Sequence, residues 1–211
     1  MGGGASTRTD LRRGITTYAA RRGVFAVVEV PPLQYLAIDG RGDPNTDPAY
    51  PGALAALYPV AYRVKFASRE AGRDYTVMPL EALWWSDDLA AFTTARDKTR
   101  WRWTLLTLVP AWTTVDQVDA ARAAAARKDP VPAFRDVRLQ ALDEGLCVQT
   151  LHVGPYDAEG PVLETMHQDV IPAHGLRPRG VHHEIYLTDA RRTAPEKLRT
   201  ILRQPVEAVR R

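Results

Sequence analysis

The segment His182-His183-Glu184-Ile185-Tyr186 gathers an imidazole, a carboxylate and a phenol. In a strand, alternate side chains share a face. His182, Glu184 and Tyr186 therefore point together, while His183, Ile185 and Leu187 point the other way. A carboxylate in that company can act as general base on a water, or as counter-charge to a cationic ligand. The plainer alternative is a salt-bridged strand glutamate on a solvated face. Glu81 is the second carboxylate of interest. Its strand face carries Pro79, Leu83 and Trp85, so a buried carboxyl there must find donors or keep its proton. Ligand contact and a structural hydrogen bond to backbone both account for it.

Aromatic residues are unevenly placed. All five tryptophans fall between positions 84 and 112. Indoles offer broad faces for planar or cationic ligands, and equally fill cores; Trp85 and Trp103 are the two expected to line a pocket. Tyr58 and Tyr62 lie one turn apart on a helix, and Tyr62 is a further ligand-contact candidate. Tyr156, after the turn Gly154-Pro155, suits ligand contact or capping of a sheet.

The elements that must position these residues occur twice. Residues 33–85 and 146–188 each read strand, glycine-bearing turn, amphipathic helix, and a strand with one glutamate, Glu81 in the first copy and Glu184 in the second. Two copies of one unit are expected to pack about a pseudo-twofold axis, with both carboxylates aimed at a shared groove. Around them, residues 1–22 read as an N-terminal extension, glycine- and serine-rich and mobile up to residue 10, and residues 23–205 as a single domain. Repeat one spans about 23–110 and repeat two about 134–190. Strands are predicted at 25–30, 33–38, 75–85, 101–109, 137–142, 146–153 and 181–188, with a hairpin across Asp143-Glu144-Gly145. The linker between the strands at 75–85 and 101–109 contains Asp87-Asp88 and residues 96–100. Helices are predicted from 51 to 66, with Leu54, Leu57, Tyr58, Ala61, Tyr62 and Lys65 on one stripe and Pro59 an obstacle within it. Others cover 160–172, 115–128 and a short stretch from Thr193 to Leu202. Thr114 and Gln117 form a capping box for the helix at 115–128, and Asp129-Pro130 ends it.

Composition excludes several classes. The net charge of +3 comes largely from terminal arginines, Arg203 among them, read as solvated ends rather than a nucleic-acid surface. No helix-turn-helix or RNA-binding signature occurs. A single cysteine, Cys147, rules out an internal disulfide, and no histidine pair has zinc-ligand spacing. No apolar run spans a membrane and no secretory leader is visible, so the expected home is the cytoplasm. Gly40-Arg41-Gly42 lacks the third glycine of a dinucleotide loop, and no phosphate-binding loop or nucleophile-elbow serine occurs.

The stretch Tyr75-Thr76-Val77-Met78-Pro79-Leu80-Glu81-Ala82-Leu83-Trp84-Trp85, the turn His152-Val153-Gly154-Pro155-Tyr156-Asp157 and the strand His182–Leu187 resemble, in kind and order, the GyrI-like small-molecule-binding domains of the wider SOUL-related fold. The resemblance covers roughly residues 20–205. It implies an α+β fold: two pseudo-symmetric strand-helix-strand-strand modules forming an antiparallel sheet with helices on one face. Some such proteins are effector domains of transcription activators, in which a pocket glutamate meets cationic drugs among aromatic rings. Stand-alone ones are similar to hydrolases that open the cyclopropane ring of DNA-alkylating antibiotics. The resemblance puts Glu184 at the pocket carboxylate, with Tyr186, Tyr156, Trp103 and Trp85 near it.

The expected function is therefore water addition to a strained electrophile, with Glu184 and Tyr186 catalytic and Trp85, Trp103, Tyr156, Tyr62 and Glu81 binding. No metal or organic cofactor is implied. The expected partner is a planar aromatic or cationic small molecule, not nucleic acid or a membrane. The alternatives are a drug-sequestering protein without turnover and a gyrase-interacting protein.

Overall fold

A computed structural model describes residues 8–87, 97–129 and 131–209. Residues 1–7 of the extension expected to be mobile, residues 88–96 of the linker and Pro130 lie outside the described residues. The fold is α+β with antiparallel strands, and the chain forms two compact units interleaved along the sequence.

The first unit contains residues 33–78 and 86–141. Strand β2 (Leu33–Arg41) pairs with β4 (Arg102–Leu108), and β5 (Arg138–Leu142) lies on the other side of β2. Helix α2 (Ala49–Glu70), the second after a single turn α1 at Leu11–Gly14, carries Pro59 inside it. Its buried stripe is Ala53, Ala56, Leu57, Val60, Ala61, Val64, Lys65 and Ser68. That stripe is rotated from the expected one. Small Ala and Val side chains, not the tyrosines, form the inward surface, and Lys65 is buried because Asp74 pairs with it at 3.0 Å. Helix α3 (Val115–Lys128) starts at Thr114 with the reciprocal bonds of the capping box to Gln117.

The second unit contains residues 17–32, 79–85 and 142–211. Its strand order is β1 (Ala26–Val30), β6 (Gly145–Val153), β9 (Arg199–Ala208), β8 (His182–Tyr186) and β3 (Glu81–Trp85), with β7 (Leu176–Pro178) also on β9. The ladders between these strands are antiparallel. Residues 160–173 form helix α4, whose middle, Thr165–Val170, is a π-turn. Ile171 N–H donates to Met166 there, and the widened turn drives Met166 and Ile171 onto Val148, Leu202 and Val206 as one apolar cluster.

Three sequence expectations are corrected. The helix expected over 193–202 is only a 3₁₀ turn at Pro195–Lys197, followed by the ten-residue strand β9. The β-branched Thr200, Ile201 and Val206 favour a strand, and Pro205, with no N–H to give, falls where β9 passes from β8 to β7. The expected hairpin is also absent: β5 pairs with β2, and β6 with β1 and β9. Its supposed turn residue Glu144 is drawn into a buried charge network. Finally, the strand expected over 75–85 is confined to Glu81–Trp85.

Candidate functional site

Register in the second unit decides which side chains meet. Glu81 pairs with Ile185, Ala82 with Glu184, Leu83 with His183 and Trp84 with His182. Directly opposed residues share a face, and a slip of one residue reverses it. The two glutamates therefore lie on opposite faces of the sheet, which corrects the expectation of two carboxylates aimed at one groove. Trp84, not Trp85, stands on Glu184's side. Trp85 shares the face of Glu81 and Leu83.

On the first face the Trp84 indole donates Nε1–H to the Tyr186 hydroxyl at 3.0 Å, and that hydroxyl donates to Glu184 Oε2 at 2.7 Å. The hydroxyl proton of Tyr186 is thus committed to the carboxylate. His182 Nε2 lies 3.4 Å from Glu184 Oε1. Trp84, Tyr186 and His182 are buried, whereas the Glu184 side chain keeps 13% of its surface exposed. The Tyr156 ring stands edge-on to Tyr186, centroids 5.4 Å apart, and is 37% exposed. Burial, then the charges of Glu159, Glu184 and Asp189, push the Tyr156 phenol up to about 12. Near neutral pH it holds its proton and can donate it.

Local sequence explains how Tyr156 gets there. His152, which the spacing of residues left unassigned, donates Nε2–H to the Pro155 carbonyl at 3.1 Å. Gly154 has φ +145°, and a Cβ there would meet His152 Nε2 at 3.2 Å. Any other residue would strain this turn and push on the histidine that holds it. From α4, His167 comes under the influence of His182; burial first, and then that neighbouring imidazole, lower its pKa to about 4, so it is neutral at physiological pH.

The opposite face carries a second polar cluster, fully enclosed. The Tyr18 hydroxyl donates to Glu81 Oε1. His183 lies between Glu81 Oε2 at 3.1 Å and Glu144 Oε1 at 2.9 Å. Arg203 donates to Glu144 Oε2 at 2.8 Å, to Gln149 at 3.1 Å and to the Thr17 carbonyl at 2.8 Å. Burial would lower the His183 pKa, but Glu144 and then Glu81 outweigh it and hold the imidazole protonated at neutral pH. Burial likewise works against ionised Glu144, yet His183 and Arg203 keep its carboxyl well below the usual range. The Glu144 carboxylate is thus held between two cations, His183 and Arg203. Arg203, read from sequence as a solvated terminal arginine, is fully buried because β9 is an inner strand and each nitrogen of its guanidinium meets an acceptor.

Two remaining candidates sit in the first unit. Trp103 is buried beneath Gly40, where an added Cβ would overlap its ring, and meets Tyr50 edge-on at 5.2 Å. Tyr62 is exposed on α2, its ring tilted against Phe66 at 6.3 Å. Among the described residues no group of three or more His, Cys, Asp or Glu side chains could hold a metal ion, and no helix is long and apolar enough to cross a membrane.

A carboxylate with 13% of its side chain exposed, set among phenol and indole rings on an antiparallel sheet, is chemistry that suits a small-molecule ligand. Comparison with known proteins agrees. The model of the GyrI-like small molecule binding domain matches residues 105–207. An uncharacterized conserved protein from Listeria innocua is 34% identical over 95% of this chain and 100% of its own, with a TM-score of 0.85. A hydrolase from Listeria innocua is 32% identical over the same shares of the two chains, with a TM-score of 0.82. The C-terminal domain of EcmrR, 13% identical over 88% of this chain and 98% of its own, has the same fold at a TM-score of 0.58. Among curated proteins none matches the chain. The chain belongs to the GyrI-like small-molecule-binding family.

Proposed function

We propose that this chain is a hydrolase that adds water to a strained, electrophilic small molecule, a cyclopropane conjugated to a dienone being the substrate class that fits. One observation carries the reading: Glu184 is anchored through one oxygen by Tyr186, keeps 13% of its side chain exposed and lies in the neighbourhood of a protonated Tyr156. Glu184 takes a proton from water as the water oxygen bonds to a cyclopropane carbon. The C–C bond to that carbon breaks, and its electron pair flows through the conjugated system onto the dienone oxygen. Tyr156 donates its proton to that oxygen, giving a phenol; solvent then returns the proton from Glu184 to the Tyr156 phenolate. Water is added and nothing is oxidised. Tyr186, whose hydroxyl is engaged by Glu184, positions the base and leaves the donor role to Tyr156. The likeness to a Listeria hydrolase over the full chain supports the reaction class.

Incubating the protein with a cyclopropane-bearing alkylator and following the gain of one water by mass spectrometry tests this. Glu184→Gln is expected to slow ring opening by ~10²–10⁴-fold, the usual worth of a general base, while ligand affinity survives. Tyr156→Phe lowers kcat with KM little changed. Absence of product with wild-type protein, together with loss of affinity in Glu184→Gln, would establish instead a binder in which Glu184 supplies only counter-charge.

A further inference from the structure

His182 is unusual for a buried imidazole. Only 3% of its side chain is exposed, and neither ring nitrogen completes a hydrogen bond among the described residues. A buried N–H without an acceptor is costly. A neutral imidazole has one N–H to place, and the acceptor within reach is Glu184 Oε1, 3.4 Å from Nε2. The groups that act on His182 are accounted for on each element: Trp84 on β3 gives its N–H to Tyr186, Tyr186 and Glu184 are on β8, and His167 on α4 is neutral. Glu159 and Asp189, in the flanking loops, act together with Glu184 on the Tyr156 phenol. Glu184 is thus the one anionic group at contact distance from the ring among the described residues.

We propose that His182 is a positioning residue for Glu184: its Nε2–H is the second donor which, with the Tyr186 hydroxyl, fixes both carboxylate oxygens. The contact stands on geometry; its effect on turnover rests on the hydrolase reading above. Oε2 is then held by Tyr186 and Oε1 is steered by His182, so the carboxylate has one orientation in which to meet a water. Long donor–acceptor distances in a ligand-free site tighten when the reacting partner enters.

The test uses protein without ligand, so it is independent of turnover. Carbon-detected NMR titration of the Glu184 carboxyl is compared in wild type, His182→Leu, His182→Gln and His182→Asn. Loss of a donor to the ionised form raises a carboxyl pKa, so the His182→Leu midpoint is expected to lie above the wild-type one. Gln places its amide nitrogen where Nε2 stands and restores the wild-type midpoint; Asn places it where Nδ1 stands and does not. In turnover, His182→Leu lowers kcat by ~10-fold or more with KM near wild type, and the acidic limb of the pH–rate profile moves up with the titration. An unchanged midpoint in a folded His182→Leu overturns the proposal, as does restoration by Asn rather than Gln. If His182→Leu fails to fold, the contrast between Gln and Asn decides. A shifted titration with no wild-type turnover keeps the positioning role and removes the hydrolase reading.

Discussion

His183 offers the most quantitative test of how the second unit is held together. The folded protein raises its pKa above the ordinary 6.5, to about 9. A group with a raised folded pKa contributes its stability fully below the unfolded value and loses it as pH rises through the folded value. Stability should therefore decline between pH about 6.5 and about 9. The ring is fully enclosed, so solvent screening does not discount the effect. At about 1.4 kcal/mol per pH unit the shift corresponds to on the order of 3 kcal/mol, in line with ~3–5 kcal/mol for breaking a buried ion pair. For a chain of this size that is roughly 6–12 °C in Tm. His183→Gln keeps hydrogen-bonding capacity but not the charge. It should melt lower than wild type at pH 6 and show little slope from pH 6.5 to 9. Glu144, lowered to about 2, works in the opposite direction, contributing above pH 4.5 and failing as pH falls through its folded value. Thermal melts of both proteins from pH about 2 to about 9 measure both windows. A wild-type Tm that is flat between pH 6 and 9, or a variant with the same alkaline slope, would refute the protonated-imidazole account.

Two further outcomes bear on the first unit. Gly40→Ala places a methyl against the rigid Trp103 ring, so urea denaturation should show a loss of ~1–3 kcal/mol or more, with a change in native tryptophan emission; an unaltered midpoint would mean that the indole is not fixed there. Thr114→Ala removes the capping box of α3 and is expected to cost about 1 kcal/mol, seen in the same assay as a shifted midpoint with unchanged m-value.

Much of the architecture was legible because local signals were strong. The capping box at Thr114 and Gln117, the valine-rich β1 and the strand around Glu184 each rest on the periodicity or chemistry of a few adjacent residues. What sequence could not show was which strands pair. Trp85 beside Glu184 is what the family resemblance implies; the actual pairing of Ala82 with Glu184 puts Trp85 on the other face and substitutes Trp84. Glu144 looked like an ordinary turn residue and Arg203 like a solvated end, since their partners lie 39 and 59 positions from Glu144 along the chain. An available hint was Arg203 between Leu202 and the Gln204-Pro205-Val206 run, a charge inside a stretch otherwise suited to burial. The final strand was mistaken for a helix because Pro195 and Glu196 imitate a helix start, while the evidence against it came ten residues later, at Pro205.

The position of β9 sets the order in which this protein can be made. The strand lies between β6 and β8, so residues 199–208 supply both of those strands with their neighbour. A nascent chain still threaded through the ribosome at residue 190 holds β1, β3, β6 and β8 with a gap where the inner strand belongs. It also holds Glu144 and His183 without the arginine that balances them. Until that last stretch emerges, β6 and β8 each lack the neighbour that β9 supplies, and two rows of backbone N–H and C=O groups wait for it.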